Sequence, residues 1–163
     1  MDELRKATGN FLALRRIAVA GVARDGRNPA NLIYRRLREK GYQVFAVNPH
    51  AEQVEGDPSY ASVTRIPGGV EGVVIATPPS ATPGVVEDCV EAGVGDVWIH
   101  RSLGTGSMAP EAVDLCRQAG VRVIAGACPM MFIEPVDLGH RCMRWVLGKA
   151  GKLPKSSECS HNS

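Results

Sequence analysis

A doubly wound α/β fold on a parallel five-stranded sheet is predicted by three features of the sequence. Five short runs rich in valine and isoleucine recur: Ile17 to Val22, Gln43 to Val47, Gly72 to Ala76, Asp96 to Ile99 and Val121 to Ala125. They start 24 to 29 residues apart, which leaves room for one crossover helix between parallel neighbours. None alternates apolar with polar residues, the pattern of strands covered on both faces. Right-handed crossovers then give the strand order 3-2-1-4-5, with the reversal between the first and fourth strands.

The elements follow in order along the chain. Residues 2 to 15 read as a short helix with Leu4, Phe11, Leu12 and Leu14 on its apolar side. After the first strand, Asn28-Pro29 opens a helix that buries Leu32, Ile33 and Leu37 and closes at Gly41. Segment 49 to 71 is irregular around Gly56, Pro58, Pro67 and Gly68-Gly69, with one helical turn near Ser59 to Val63. Thr82-Pro83 opens the next helix, with Val85, Val86, Cys89 and Val90 inward and Gly93 at its end. Ser107 with Pro110 opens another, with Val113 and Cys116 inward and Gly120 closing it. Proline costs nothing in a first helical turn, where its N–H would have no partner, and glycine accepts the left-handed conformation that ends a helix. Residues 134 to 148 read as a closing helix with Val136, Leu138, Met143, Val146 and Leu147 inward. The expected organisation is one domain over residues 1 to 150, and a flexible tail over 151 to 163, where the sequence turns small and polar.

Composition narrows the function classes. The chain has 163 residues, 44% hydrophobic and 22% charged, enough for one domain with a real core. Its net charge of +2 provides no global attraction to nucleic acid or to a membrane surface. No apolar run approaches the roughly 20 residues that cross a bilayer, and MDELRKATGN has no apolar leader, so a cytoplasmic protein is expected. The cysteines, at 89, 116, 128, 142 and 159, form no C-x-x-C pair, which fits a reducing compartment. Cys128, His140 and Cys142 match no zinc spacing, so no metal is expected. The charge is uneven: residues 1 to 51 carry ten Lys/Arg against four Asp/Glu, whereas residues 52 to 96 carry one against eight.

Ligands of open parallel sheets sit beyond the carboxyl ends of the strands, so the residues after each strand are the candidates. The first strand runs into Gly21-Val22-Ala23-Arg24-Asp25-Gly26-Arg27-Asn28-Pro29. Gly21 permits a tight turn, a helix start offers N–H groups to an anion, and Arg24 and Arg27 add positive charge. A phosphate or diphosphate is the natural occupant. The glycines do not match G-x-G-x-x-G, and the second strand ends in Asn48-Pro49-His50, where an NAD-binding chain has a ribose-binding carboxylate. That leaves an NADP-like ligand or a 3′-phosphorylated adenine nucleotide.

The stretch IAVAGVARDGRNPANLIYRRLREKGYQVFAVNP, with GVVIATPP, DVWIH and GVRVIAG, resembles the stand-alone CoA-binding domain family. That Rossmann-like family is related to the CoA-binding domains of succinyl-CoA synthetase alpha subunits and of ADP-forming acyl-CoA synthetases. The likeness spans about residues 15 to 128, and its most specific part is G-Y-x-V-x-x-V-N-P at Gly41 to Pro49. It implies that Gly21, Val22, Ala23 and the backbone through Asn28 hold the diphosphate of coenzyme A or an acyl-CoA, with Asn31 in the adjoining helical turn. It implies that Asn48, Pro49 and His50 lie by the adenosine end and that Ala76-Thr77-Pro78-Pro79 forms a shelf for a ring or alkyl arm; His100, just after the fourth strand, is placed at the same edge by the fold. The chain departs from the family's habit at Ala23, often serine, and at His50, often lysine. It departs again after Trp98-Ile99, where His100-Arg101-Ser102-Leu103-Gly104 follows, and at Cys128 to Phe132.

The related synthetase works through a phosphohistidine on a second domain, which these residues do not supply, so a binding protein without catalytic apparatus is expected. His100 and Cys128 could form a base and thiolate pair, or Cys128 a mixed disulfide with the ligand thiol, but no third orienting group is evident and a lining role is the expectation. Two readings from other classes stay open. One is an NADP-dependent oxidoreductase with a hydride-acceptor pocket near Thr77. The other is a nucleotide-sensing interaction module, in which the N-terminal helix and Met130, Met131 and Phe132 contact a partner subunit or a second copy.

Overall fold

A computed structural model describes residues 2–154. Its sheet has seven strands in the order β3-β4-β2-β1-β5-β6-β7, where β1 is Arg16–Ala20, β2 Gln43–Val47, β3 Gln53–Val54, β4 Asp57–Tyr60, β5 Gly72–Ile75, β6 Asp96–Ile99 and β7 Arg122–Ala125. All neighbours are parallel except β3 and β4, which form an antiparallel hairpin.

The expected five-strand sheet in the order 3-2-1-4-5 needs correcting. The five apolar runs are all strands, but two further strands come from the segment read as irregular. The third run, Gly72–Ile75, pairs with β1 and does not lie outside β2. That outer place belongs to β4, so the reversal falls between β1 and β5. Asp57–Tyr60 gave no strand signal because it is a short strand beside a two-residue edge and carries no apolar run. Its Pro58 is tolerated near an edge, where a missing N–H costs little. The helical turn expected near Ser59 to Val63 is a 3₁₀ turn at Val63–Arg65.

Helices α1 (Asp2–Leu12), α2 (Pro29–Glu39) and α5 (Leu138–Lys149) cover one face, and α3 (Thr82–Glu91) and α4 (Pro110–Gln118) cover the other. Strand alternation divides the core between them. Ile17, Val19, Val74, Trp98 and Ile124 point to the first face, whereas Ala18, Ala20, Val73, Ile75, Val97 and Ile99 point to the second. Phe11 of α1 meets Trp98 edge to face at 5.4 Å, a geometry aromatic rings prefer. A Cβ at Gly72 would come within 2.9 Å of Phe11 and 2.7 Å of Leu14, so the bare backbone there lets the N-terminal segment seat on β5.

Several helix details differ from expectation. Asn28 caps α2 as expected, accepting from Asn31 N–H at 2.9 Å. Thr82 and Ser107 do not cap their helices: the Thr82 hydroxyl donates to the Ser107 carbonyl at 2.7 Å and ties the α3 and α4 entry loops together. Leu32 and Val90, expected inward, are exposed, because Ile33 with Leu37 and Val86 with Cys89 define the buried stripes. In α5, Leu138 and Val146 likewise face out, because Asp137 starts the helix and the inner face is set by Met143, Arg144 and Leu147. Of the expected tail, Leu153 and Pro154 are buried, and residues 155–163 lie outside the described residues.

Candidate functional site

At the carboxyl edge of β1 the chain turns at Gly21, whose φ is +103°. A Cβ there would lie 2.4 Å from the Ala76 carbonyl oxygen, so only glycine lets the loop cross so close to the end of β5. Gly21 N–H donates to the Val47 carbonyl at 3.2 Å, and Ala76 N–H to the Ala20 carbonyl at 3.0 Å. The ends of β1, β2 and β5 are therefore joined at this turn.

The loop beyond Gly21 is held from below. Asn31, fully buried in the first turn of α2, accepts from Ala23 N–H and donates to the Ala23 carbonyl, both at 2.8 Å. Its amide also donates to Glu55 Oε1 at 2.7 Å. Arg35 bridges the same carboxylate oxygen, 2.8 Å, and the Gly26 carbonyl, 3.0 Å. The Asn28 amide donates to the Gly21 carbonyl at 3.3 Å. Asn31 thus spends its side chain inside the protein, and Ala23 N–H is already engaged, whereas Arg24 and Arg27 are exposed on the loop's outer side.

Neighbouring segments complete the edge. Asn48 donates to the Val22 carbonyl at 2.9 Å and accepts from His50 N–H at 2.7 Å. Arg24 reaches across to the His50 carbonyl at 2.6 Å. Arg24, Asn48, Pro49, His50 and Ser59 border an open groove of about 780 Å³ at the ends of β2 and β4. Past β5, Thr77 and Thr82 share a hydroxyl contact at 3.2 Å, with Pro78 exposed and Pro79 half-buried. The structure thus brings together Gly21 to Asn28, Asn48 to His50 and Ala76 to Pro79.

His100 stands one strand further along, where its N–H donates to the Ile75 carbonyl at 2.8 Å. Its ring is 5% exposed, and burial pushes its pKa down to about 4, so the imidazole is neutral. Two buried side-chain polar atoms have no partner among the described residues, His100 Nε2 and Ser59 Oγ, and both belong to this edge of the sheet. Such orphans are uncommon in a folded interior and mark places where a further group can bind. Cys128 is buried too, and burial pushes its thiol up to about 11. A neutral imidazole and a protonated thiol do not make the activated pair weighed from the sequence. Nor is the Met130 to Phe132 patch free: Met131 is buried, and Phe132 packs on Trp98 with ring centroids 5.8 Å apart.

Sequence reasoning missed Glu55 and Arg35. Glu55 and Gly56 both have positive φ between β3 and β4, the pattern of a two-residue hairpin, and the Glu-Gly pair between short strands was the available signal.

A family described as CoA binding domain matches residues 15–134. The alpha subunit of an ADP-forming acetate–CoA ligase II from Pyrococcus furiosus is 33% identical over 125 residues, 72% of this chain and 27% of the relative. The chain thus spans about a quarter of that relative's length. YneT of Bacillus subtilis, described as uncharacterized, is 25% identical over 114 residues, 70% of this chain and 82% of the relative. A hypothetical protein from Pyrococcus horikoshii OT3 superposes with a TM-score of 0.74 at 29% identity, covering 81% of this chain and 91% of that one.

Proposed function

The chain belongs to the CoA binding domain family, and from that premise we propose that it binds coenzyme A, free or acylated, along the carboxyl edge of its sheet. In this reading the diphosphate lies against the turn from Gly21 through Val22 and Ala23 to Asn28, with Arg24 and Arg27 supplying the positive charge. Asn31 serves from behind, fixing the loop through Ala23. The 3′-phosphorylated adenosine occupies the groove beside Asn48, Pro49 and His50, and the pantetheine arm runs over Ala76, Thr77, Pro78 and Pro79 toward His100. No catalytic step is assigned: burial keeps the Cys128 thiol protonated, and no third group that would orient it against His100 is evident among the described residues.

The observation that supports this reading most is the crossing at Gly21. There the ends of β1, β2 and β5 meet at the point where the strand order reverses, and the loop that leaves the turn toward the start of α2 carries the exposed Arg24 and Arg27. Two of the relatives are named as ADP-forming acetate–CoA ligases, which agrees with the ligand class.

The test is thermal unfolding with coenzyme A, dephospho-coenzyme A, NAD and NADP. Coenzyme A at 100 times its dissociation constant adds about 2.7 kcal/mol of stability. Arg24→Ala with Arg27→Ala weakens binding about tenfold or more and flattens its salt dependence. Stabilisation by NADP with none by coenzyme A, or unchanged affinity in the double variant, would overturn the proposal.

A further inference from the structure

Helix α5 is amphipathic on two sides at once. Met143, Arg144 and Leu147 turn toward the body, where Arg144 donates to the Met131 carbonyl at 3.0 Å and lies 5.8 Å from the Phe132 ring centre. Leu138, Cys142, Trp145 and Lys149 lie on the opposite side at spacings of four, three and four residues, a continuous stripe along three turns. Leu138 is 74% exposed and Trp145 66%, with Val146 also exposed beside the stripe. The Lys149 ammonium sits 5.7 Å from the Trp145 ring centre. Isolated exposed apolar residues are ordinary, but a contiguous stripe that holds a tryptophan is what protein surfaces keep for contacts.

The charges along α5 say what fits. Glu134 and Asp137 stand at its start, Lys149 and Lys152 at its end, and all four are exposed. We propose that α5 is the interface of a twofold dimer, in which the outward stripe packs antiparallel on the same stripe of a second copy. In that register Leu138 meets the stem of the second copy's Lys149, and Cys142 meets the second copy's Trp145, each contact made twice. Val146 lies on one flank of the contact, and Arg141 stays in water on the other. Glu134 and Asp137 then face the second copy's Lys149 and Lys152, and the two helix dipoles run opposite, so both ends are electrostatically matched. A parallel pairing would set acid against acid and base against base.

Sedimentation equilibrium of the whole chain tests this independently of any ligand. The expected result is a mass about twice the 17.4 kDa of one chain. Trp145→Asp gives a monomer at every salt concentration. Lys149→Glu with Lys152→Glu, which sets acid against Glu134 and Asp137, weakens the dimer at low salt and regains it as salt is added. Circular dichroism matching the wild type shows that each variant folds. A wild-type monomer at about 100 μM, whether or not it sediments with anionic vesicles, or a dimer that survives Trp145→Asp, would overturn the proposal.

Discussion

His100 shows what one buried titratable group does to the molecule. Its ring is held neutral by burial, with a pKa near 4 against the ordinary value of 6.5. Between those two values the unfolded chain takes up a proton that the folded chain refuses. The stability tied to this residue is therefore complete above about pH 6.5 and is lost as the pH falls toward 4, to a total of about 3 kcal/mol. Denaturant unfolding from pH 7 to 4.5 should show this decline, and His100→Leu should remove most of it. An identical decline in the variant would place the titration elsewhere. The sequence put His100 at the ligand edge but gave no sign of its burial, because exposure depends on the Arg101 to Met108 loop folding back: Ser107 N–H donates to the His100 carbonyl at 2.8 Å.

At the scale of elements, the β3–β4 hairpin does more than extend the sheet. Glu55 at its tip accepts from Asn31 and Arg35, which between them hold Ala23 and Gly26. Asp57 accepts from Tyr34 and Arg38, both at 2.7 Å, and its pKa is lowered by the Tyr34 hydrogen bond and by Arg38. Hairpin, α2 and the loop after β1 thus form one unit. Asn31→Asp keeps the shape but turns a donor into a carboxylate facing both Glu55 and the Ala23 carbonyl. It should cost about 3 kcal/mol and speed amide exchange at Ala23 and Gly26. Unchanged exchange there would mean that the loop holds its shape without this link. The Asn28 cap and the five apolar strands were legible because their signals are local, a capping side chain or a run of β-branched residues. The hairpin was not, since its two strands total six residues and its stability comes from α2, far away in sequence.

For the whole molecule, the strand order decides where a ligand can lie. The expected order misplaced the reversal because one short strand was missing from the count. The residues named after the first three apolar runs nevertheless stand together at one edge, since the ends of β1, β2 and β5 meet whichever strand is numbered third. Leu138 and Val146 of α5, expected inward, face out for a related reason: the spacing of apolar residues marks a helix face, not whether the same chain covers it. The central claim is that coenzyme A lies on the carboxyl edge at the Gly21 turn. Backbone amide chemical shifts followed through a titration with coenzyme A test it most directly. The account predicts that the shifts cluster at Gly21 to Asn28, Asn48 to Ala51 and Ala76 to Thr77. A spectrum that does not change, or changes confined to the cleft lined by Arg15, Lys40 and Tyr42 at the opposite edge, would contradict it.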